Sequence, residues 1–442
     1  MAPRAALYLM PSMAVLATAL LVLGPGRERP AVGARVWGVP AEGATSTFLR
    51  LETLERQFGS DQTMPVDGLE LSIAQGGRKL ATWSGASGED GVVEAEITAS
   101  EPLSGTIEIR IARGKVLLAE GSVPLRRATP LVFERRPVEG IAQGAIALRV
   151  EIARGVLASP FAGMLLVRAT RDGQPAAGVA LKATGAGAQM LEAGLTTTTD
   201  SSGEAKVDLQ PTWHSVDLQI EATDRSVDPP AKGTWETSLP VKPGALWLSL
   251  DRAKPSVVSP VSRDRAYVSG IGDRGRVFGA VVPLAKNPSG LFEGALAADE
   301  LTRHGVRAVT VAGDVQELGP GTVTWPLGST EAVASAPRVE LLLDGVPLAE
   351  RLEKKRAASA RLASAGVAFV AALFEAVLLV LHSRASQARL AAHLAEASED
   401  AEDRTAAARM TASPLDRMFT LVVAVGLVLL AFGAIAAFTI VR

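Results

Sequence analysis

Apolar residues fall into two patterns along this chain: long unbroken runs near its ends, and short alternating runs between them. Leu7–Leu23 and Phe419–Val441 carry no charged residue, and Ala363–Leu381 carries only Glu375. A bilayer core about 30 Å thick takes about 20 apolar residues in a helix. The 23 residues of Phe419–Val441 and the 19 of Ala363–Leu381 therefore predict two spanning helices. Leu7–Leu23 follows Arg4 and predicts a third helix, as a signal anchor or a signal peptide. The nearest small-residue cleavage pattern, Val32-Gly33-Ala34, lies beyond Arg27, Glu28, Arg29 and Pro30. That distance suits a peptidase poorly and favours a retained anchor.

The middle of the chain has period two. Thr106-Ile107-Glu108-Ile109-Arg110-Ile111 and Val216-Asp217-Leu218-Gln219-Ile220 alternate apolar with polar residues, the pattern of half-buried strands. Strand-like runs broken by Gly, Pro and Asp recur about every 8–12 residues, as in sandwiches rather than βαβ units. The expected layout is an N-terminal anchor at 1–30, β-sandwich modules at 31–128 and 140–242, and a Pro-containing linker at 243–262. A third β-rich module follows at 263–347, then a helix with the second span at 348–382, a polar helical connector at 383–417 and the last span at 418–442. In the connector, Leu390 and Leu394 sit one helical turn apart, and Ser413-Pro414 supplies a cap and first-turn proline before the last span. The last two spans would form a helical hairpin.

Two stretches of the β region match each other. Pro65-Val66-Asp67-Gly68-Leu69-Glu70-Leu71 aligns with Pro175-Ala176-Ala177-Gly178-Val179-Ala180-Leu181. Further on, Gly88-Glu89-Asp90-Gly91-Val92-Val93-Glu94 aligns with Asp200-Ser201-Ser202-Gly203-Glu204-Ala205-Lys206. Pro-x-x-Gly turns the chain into a strand, and the Asp/Gly pair makes a tight turn into the next. The second copy, with Gln174-Pro175-Ala176-Ala177-Gly178 and Thr199-Asp200-Ser201-Ser202-Gly203-Glu204-Ala205, resembles bacterial Ig-like and carboxypeptidase-regulatory-like modules, and macroglobulin-type β-sandwich modules share its pattern. The resemblance covers under half the chain. It implies tandem Ig-like or transthyretin-like sandwiches and brings no catalytic residues with it.

Composition narrows the function classes. With 45 Lys and Arg against 47 Asp and Glu, the net charge of −2 gives no hint of a nucleic-acid partner. The absence of cysteine removes disulfides, thiolate metal sites and cysteine nucleophiles together. All six tryptophans (Trp37, Trp83, Trp213, Trp235, Trp247, Trp325) fall in the middle region, which argues for packed cores there. His214, His304, His382 and His393 are far apart and form no metal-binding spacing. Ser201 and Ser202 beside Asp200 are explained by the turn rather than by a nucleophile awaiting its base. Asp172 and Asp200 fall at hairpin tips without the acidic density that calcium needs. Neither a cofactor nor an enzymatic activity is expected.

Glu375 is the singular residue of the spans, because an acid at the centre of a membrane helix costs about 2.5–3.5 kcal/mol unless it faces protein or water. It flanks a stripe of small residues, Ser364, Ala368, Ala372 and Ala376, which would let a second helix approach closely, and Gly426, Gly433 and Ala437 offer the last span a matching face. The expected protein is a non-enzymatic bacterial envelope protein of the cytoplasmic (inner) membrane. It would present Ig-like modules outside the cytoplasm for binding or assembly, with the hairpin docking a membrane partner. An accessory subunit of a membrane transporter or protease system is the alternative. The Lys/Arg count opposes the outward orientation: Arg351, Lys354, Lys355, Arg356 and Arg361 precede the second span, against Arg384 and Arg389 just after it. Large domains translocate largely regardless of charge, and the leading apolar segment behaves as an export signal, so the outward orientation is preferred.

Overall fold

A computed structural model describes residues 31–57, 60–127, 129–191, 196–250, 255–273, 275–328 and 332–397, with Val422, Val425 and Gly426. The chain is mainly β with antiparallel sheets, and it divides into two compact units. The larger, Gly33–Leu54 with Gln62–Val346, holds nearly all of the strands.

Alternation becomes layering in the first module. Thr106–Arg113 buries Ile107, Ile109 and Ile111 and exposes the residues between them. It lies in a four-stranded sheet ordered Arg78–Gly85, Leu69–Gln75, Thr106–Arg113, Val116–Pro124. Ile73 and Leu71 on that sheet face Leu49, Leu51, Ala95 and Ile97 of the second sheet, all at most 1% exposed. This second sheet is built from Ala31–Gly38, Ser46–Gln57, Ser60–Thr63 and Val92–Thr98. Two apolar faces closed on each other make a sandwich, the layer arrangement that immunoglobulin-type modules share.

The second module repeats the plan with its own core. Val150, Leu165, Val167 and Val207 of one sheet meet Leu181, Val216, Leu218, Ile220 and Trp235 of the other. The matched sequence turns are structurally matched. Gly91 and Gly203 adopt φ +74° and +75°. Each carbonyl accepts the amide of a strand residue, Thr53 at 2.7 Å and Ala169 at 2.8 Å. Ser87 takes the role of Thr199: the Ser87 hydroxyl accepts the Val66 amide at 2.7 Å, and the Thr199 hydroxyl accepts the Val179 amide at 3.0 Å. These bonds pair Val66 with Val179, so the Pro-x-x-Gly segments are offset from the alignment that their prolines suggest.

The third module corrects two expectations. The segment read as a linker, 243–262, supplies Trp247–Ser249 and Ser256–Ser259 to a four-stranded sheet with Phe292–Ala295 and Ala285–Lys286. Its prolines precede strands or edge them rather than spacing two domains. The facing sheet is ordered Gly275–Pro283, Arg265–Gly272, Ala308–Ala312, Val323–Pro326. The strand Glu340–Asp344, which the bounds 263–347 would place in this module, instead joins the first sandwich. It pairs antiparallel with Ala31–Gly38, Arg35 opposite Asp344 and Gly38 opposite Glu340. The first and last strands of the β region are thus neighbours in one sheet.

The smaller unit contains the hairpin segment Glu55–Asp61 and the helix from Pro347 onward. The helix, Val346–Ala397, runs unbroken for 52 residues, about 78 Å at 1.5 Å per residue. It passes through the expected second span and well into the expected connector. Arg56 ties the hairpin to it, donating to Asp61 at 2.7 Å and forming an ion pair with Glu353 at 3.4 Å. The N-terminal anchor and nearly all of the last span lie outside the described residues.

Gly203→Ala should destabilise the β unit by about 1–3 kcal/mol, because its backbone lies in the left-handed region and a Cβ would sit 2.7 Å from the Ala169 carbonyl oxygen. Gly178→Ala, at φ +72° with open space around it, should cost only about 1 kcal/mol. Chemical denaturation of the two variants checks the ranking.

Candidate functional site

The expected small-residue stripe lies on the long helix. Ser364, Ala368, Ala372, Glu375 and Ala376 are all helical; Ala372 is buried and Ala376 half-buried. Gly426 is also helical and half-buried, while Gly433 and Ala437 lie outside the described residues. The same helix leaves large apolar side chains uncovered. Leu362, Phe369, Val370, Leu373, Phe374, Val377 and Leu381 are between 47% and 75% exposed. A soluble surface rarely carries so continuous an apolar band. By length and composition this helix can cross a membrane.

Asp172, Ser201 and Ser202 fall in turns, whereas His382 and His393 lie on the long helix. One carboxylate oxygen of Asp200 accepts the Ser202 amide at 2.8 Å, the Ser202 hydroxyl at 2.6 Å and the Glu204 amide at 3.0 Å. The Ser202 hydroxyl first, then these amides, hold the Asp200 carboxyl below its ordinary range. His304 lies edge-on to Phe48, with ring centres 5.2 Å apart, and 6.0 Å from Phe278. His214 stacks obliquely on the exposed Trp213 at 5.0 Å. Among the described residues no group of three or more His, Asp or Glu could hold a metal ion.

Sequence reasoning missed a charged cluster buried where the first and third modules meet. Phe48, Arg50 and Glu52 alternate with the core residues Leu49 and Leu51, so their side chains leave the sandwich on its outer face. In an isolated module that face would be wet. Here the strands 265–272 and 275–283 cover it, and Arg50 and Arg276 have fully buried side chains. Glu94, directly across the strand pair from Arg50, receives both cations: Arg50 Nε donates at 2.6 Å and Arg276 Nη2 at 2.8 Å. Glu317 supplies the second carboxylate, 3.2 Å from Arg50 Nη1. Ser269 joins the halves, accepting from Arg276 Nε at 2.7 Å and donating to Glu317. Arg50 also donates to the carbonyls of Val315 at 2.7 Å and Val268 at 3.4 Å, and Arg276 to that of Phe48 at 3.0 Å.

Two buried cations facing two buried carboxylates leave no net charge, the condition for such a cluster to persist. Burial raises the Glu94 carboxyl, but Arg276 and Arg50 outweigh it and hold the group below its ordinary range. Arg50 is pulled down by burial yet ends raised because Glu94 and Glu317 both face it. Arg276 ends lowered, through burial and the neighbouring Arg50 cation. Gly279 makes the approach possible, since a Cβ there would lie 2.4 Å from Glu94 Oε2 and 2.6 Å from Arg276 Nη2. At the rim, Asp90 accepts from the Tyr267 hydroxyl at 3.0 Å and pairs with Arg265 at 2.9 Å. The first copy's turn carboxylate therefore reaches across to the third module, where that of the second copy serves only its own turn.

A second junction joins the second and third modules. Arg154, at φ +61°, lies over Trp325 at 4.6 Å and Trp247 at 5.7 Å, and Trp247 stacks on Phe161 at 5.1 Å. Burial pushes the Arg154 guanidinium down to about 10. Phe48, Ala158 and Phe161, contributed by the first and second modules, all pack into the third module's core.

No family model matches the chain, and no curated protein sequence matches it. Among solved structures, the Yersinia pseudotuberculosis adhesin InvE aligns with 16% identity and a TM-score of 0.18, over 50% of this chain and 60% of that one. Invasin, a bacterial integrin-binding protein, aligns with 13% identity and a TM-score of 0.16, over 67% of this chain and 60% of that one. A Salmonella alpha-2-macroglobulin mutant aligns with 14% identity and a TM-score of 0.17, over 68% of this chain and 23% of that one. The chain spans about 60% of the length of the first two.

Glu94→Gln should destabilise the β unit by about 3–5 kcal/mol, because it strips the carboxylate that two buried cations share. Glu101→Gln, which removes the partner of the exposed Arg78, should cost under about 1 kcal/mol. The Glu94 carboxyl is depressed in the folded state, so its contribution is complete above the ordinary carboxylate range and is lost as pH falls through the folded value. The stability gap between wild type and Glu94→Gln should therefore narrow on acidification, as urea melts at descending pH would record.

Proposed function

We propose that this chain is a non-enzymatic protein of the bacterial cytoplasmic membrane that presents a rigid block of Ig-like sandwiches outside the cytoplasm for binding or assembly. One observation carries the reading: the β region begins and ends on adjacent antiparallel strands, Arg35 opposite Asp344. Gly345 donates to the Ala34 carbonyl at 2.9 Å, and the long helix starts at the next residue. The start of the strand Ala31–Gly38 and the end of the strand Glu340–Asp344 thus lie at the same end of one sheet. That is the geometry required if the apolar segment Leu7–Leu23 and the apolar stretch of the helix share one bilayer. The exposed band from Leu362 to Leu381 supports a lipid surround for that stretch.

The C-terminal hairpin is assigned to docking a membrane partner through Ser364, Ala368, Ala372, Glu375 and Ala376, with Gly426, Gly433 and Ala437 on the last span. Small residues at four-residue spacing suit close helix contact, and an intramembrane acid is stable only against a polar or protein neighbour.

A reporter enzyme that is active only outside the cytoplasm, inserted near residue 250, should give signal, and one active only inside should not; the reverse result would overturn the orientation. Mild detergent extraction should recover the chain with a membrane protein partner. Glu375→Gln should lower that recovery several-fold while leaving chain abundance unchanged; equal recovery would reduce the hairpin to an anchor.

A further inference from the structure

The helix carries a charged band that the proposed role leaves unused. Arg351, Lys354, Lys355, Arg356 and Arg361 lie in the turns just before the apolar stretch Ala363–Leu381, on the same unbroken helix. At about 100° per residue, Arg351, Lys354, Lys355 and Arg361 fall within an arc of roughly 120°. Arg351, Lys354 and Lys355 are exposed and Arg361 is half-buried. The two acids of this stretch are engaged, Glu350 with Lys354 at 2.8 Å and Glu353 with Arg56 at 3.4 Å. Among the described residues Arg351 and Lys355 have no acidic partner.

We infer that this face is a binding surface for anionic phospholipid headgroups of the leaflet nearest the β block. The inference rests on the membrane reading of the helix. Helical rise fixes the depths: with the apolar stretch starting at Ala363, Arg361 lies about 3 Å outside the hydrocarbon and Lys355 about 12 Å. The headgroup layer is about 5–8 Å thick on each side, and charge is felt for about another 8 Å at physiological salt. Arg361 therefore sits among the headgroups, Lys355 and Lys354, about 12 and 14 Å out, sit in the layer where an anionic surface attracts cations, and Arg351, about 18 Å out, lies just beyond it. Long Lys and Arg side chains reach down from such positions. A protein partner for the same face would need a matching acidic surface, whereas a leaflet containing anionic lipid supplies that charge wherever the helix enters it.

Full-length protein reconstituted into vesicles should select spin-labelled phosphatidylglycerol over spin-labelled phosphatidylcholine by roughly tenfold, given about fivefold for each well-placed cation. Arg351→Gln combined with Lys355→Gln should bring the preference to within about twofold at an unchanged thermal midpoint, and high sodium chloride should do the same to wild type. Equal selection by wild type, or a preference surviving in the double variant, overturns the inference while leaving the membrane reading intact. Loss of the preference in phosphate, but not in chloride at equal ionic strength, would assign the face to free phosphate and also overturn it. Protein that does not co-float with vesicles of either composition overturns both readings.

Discussion

Everything rigid in the β block depends on closing charge over charge between its first and third sandwiches. Arg50 and Glu94 stand side by side on a sheet face that a lone module would leave in water, and Arg276, Ser269 and Glu317 complete the set from the other module. Ionised groups in a dry interface tolerate no partial version of this arrangement: with one carboxylate missing, a guanidinium is stranded at a cost of several kcal/mol. Such a contact is made in full or not at all. It therefore couples the two modules into one cooperative element, and an apolar patch of equal area would be less exacting about register. Gly279 shows how tight the register is, because even a methyl group there would displace the Glu94 carboxylate or the Arg276 guanidinium.

That coupling explains how the chain can close on itself. Pairing Arg35 with Asp344 requires ends separated by about three hundred residues to meet, and loop-closure entropy opposes this only logarithmically. Once the first and third modules are fixed, most of that entropy has already been lost, and Glu340–Asp344 has a short distance to travel. Leu343 then seats beside Gly121 of the facing sheet, and the Gly345 amide bonds the Ala34 carbonyl. The second module is an excursion from this closed element, held by the aromatic stack of Phe161, Trp247 and Trp325 beneath Arg154.

Local chemistry was legible in the sequence, and long-range pairing was not. Alternation at Thr106–Arg113 and Ser215–Asp224 appears in the structure as written, because side-chain period two is a property of the strand itself. The turns at Gly91 and Gly203 were visible for the same reason. Glu340–Asp344 carries no mark of its partner: five residues of Glu-Leu-Leu-Leu-Asp suit any edge. The prolines at 243–262 suggested a linker because proline punctuates domains as readily as it precedes strands. Arg50 and Glu94 read as ordinary outward charges, and only the arrival of another module turns them into buried ones. A partial signal was present in Phe48, an aromatic residue on the supposedly wet face two positions from Arg50. On the helix, hydropathy alone marked Ala363–Leu381, whereas the continuity from Val346 to Ala397 follows from an interior with no proline and only Gly366, Pro347 lying in the first turn where a proline is tolerated.

The cations before the second span also bear on orientation. Counted as loop charges they favour a cytoplasmic β block, but that count describes short segments around a span, and a block of about three hundred folded residues crosses with little regard to charge. What the cations must satisfy after insertion is a different condition, namely a nearby negative surface. On the proposed spanning helix they would stay close to one leaflet, so that leaflet's own charge would set their energy. An anionic leaflet on the β block's side therefore offsets the cost that the loop rule assigns to them. Under that condition the uneven charge is compatible with the proposed outward-facing block.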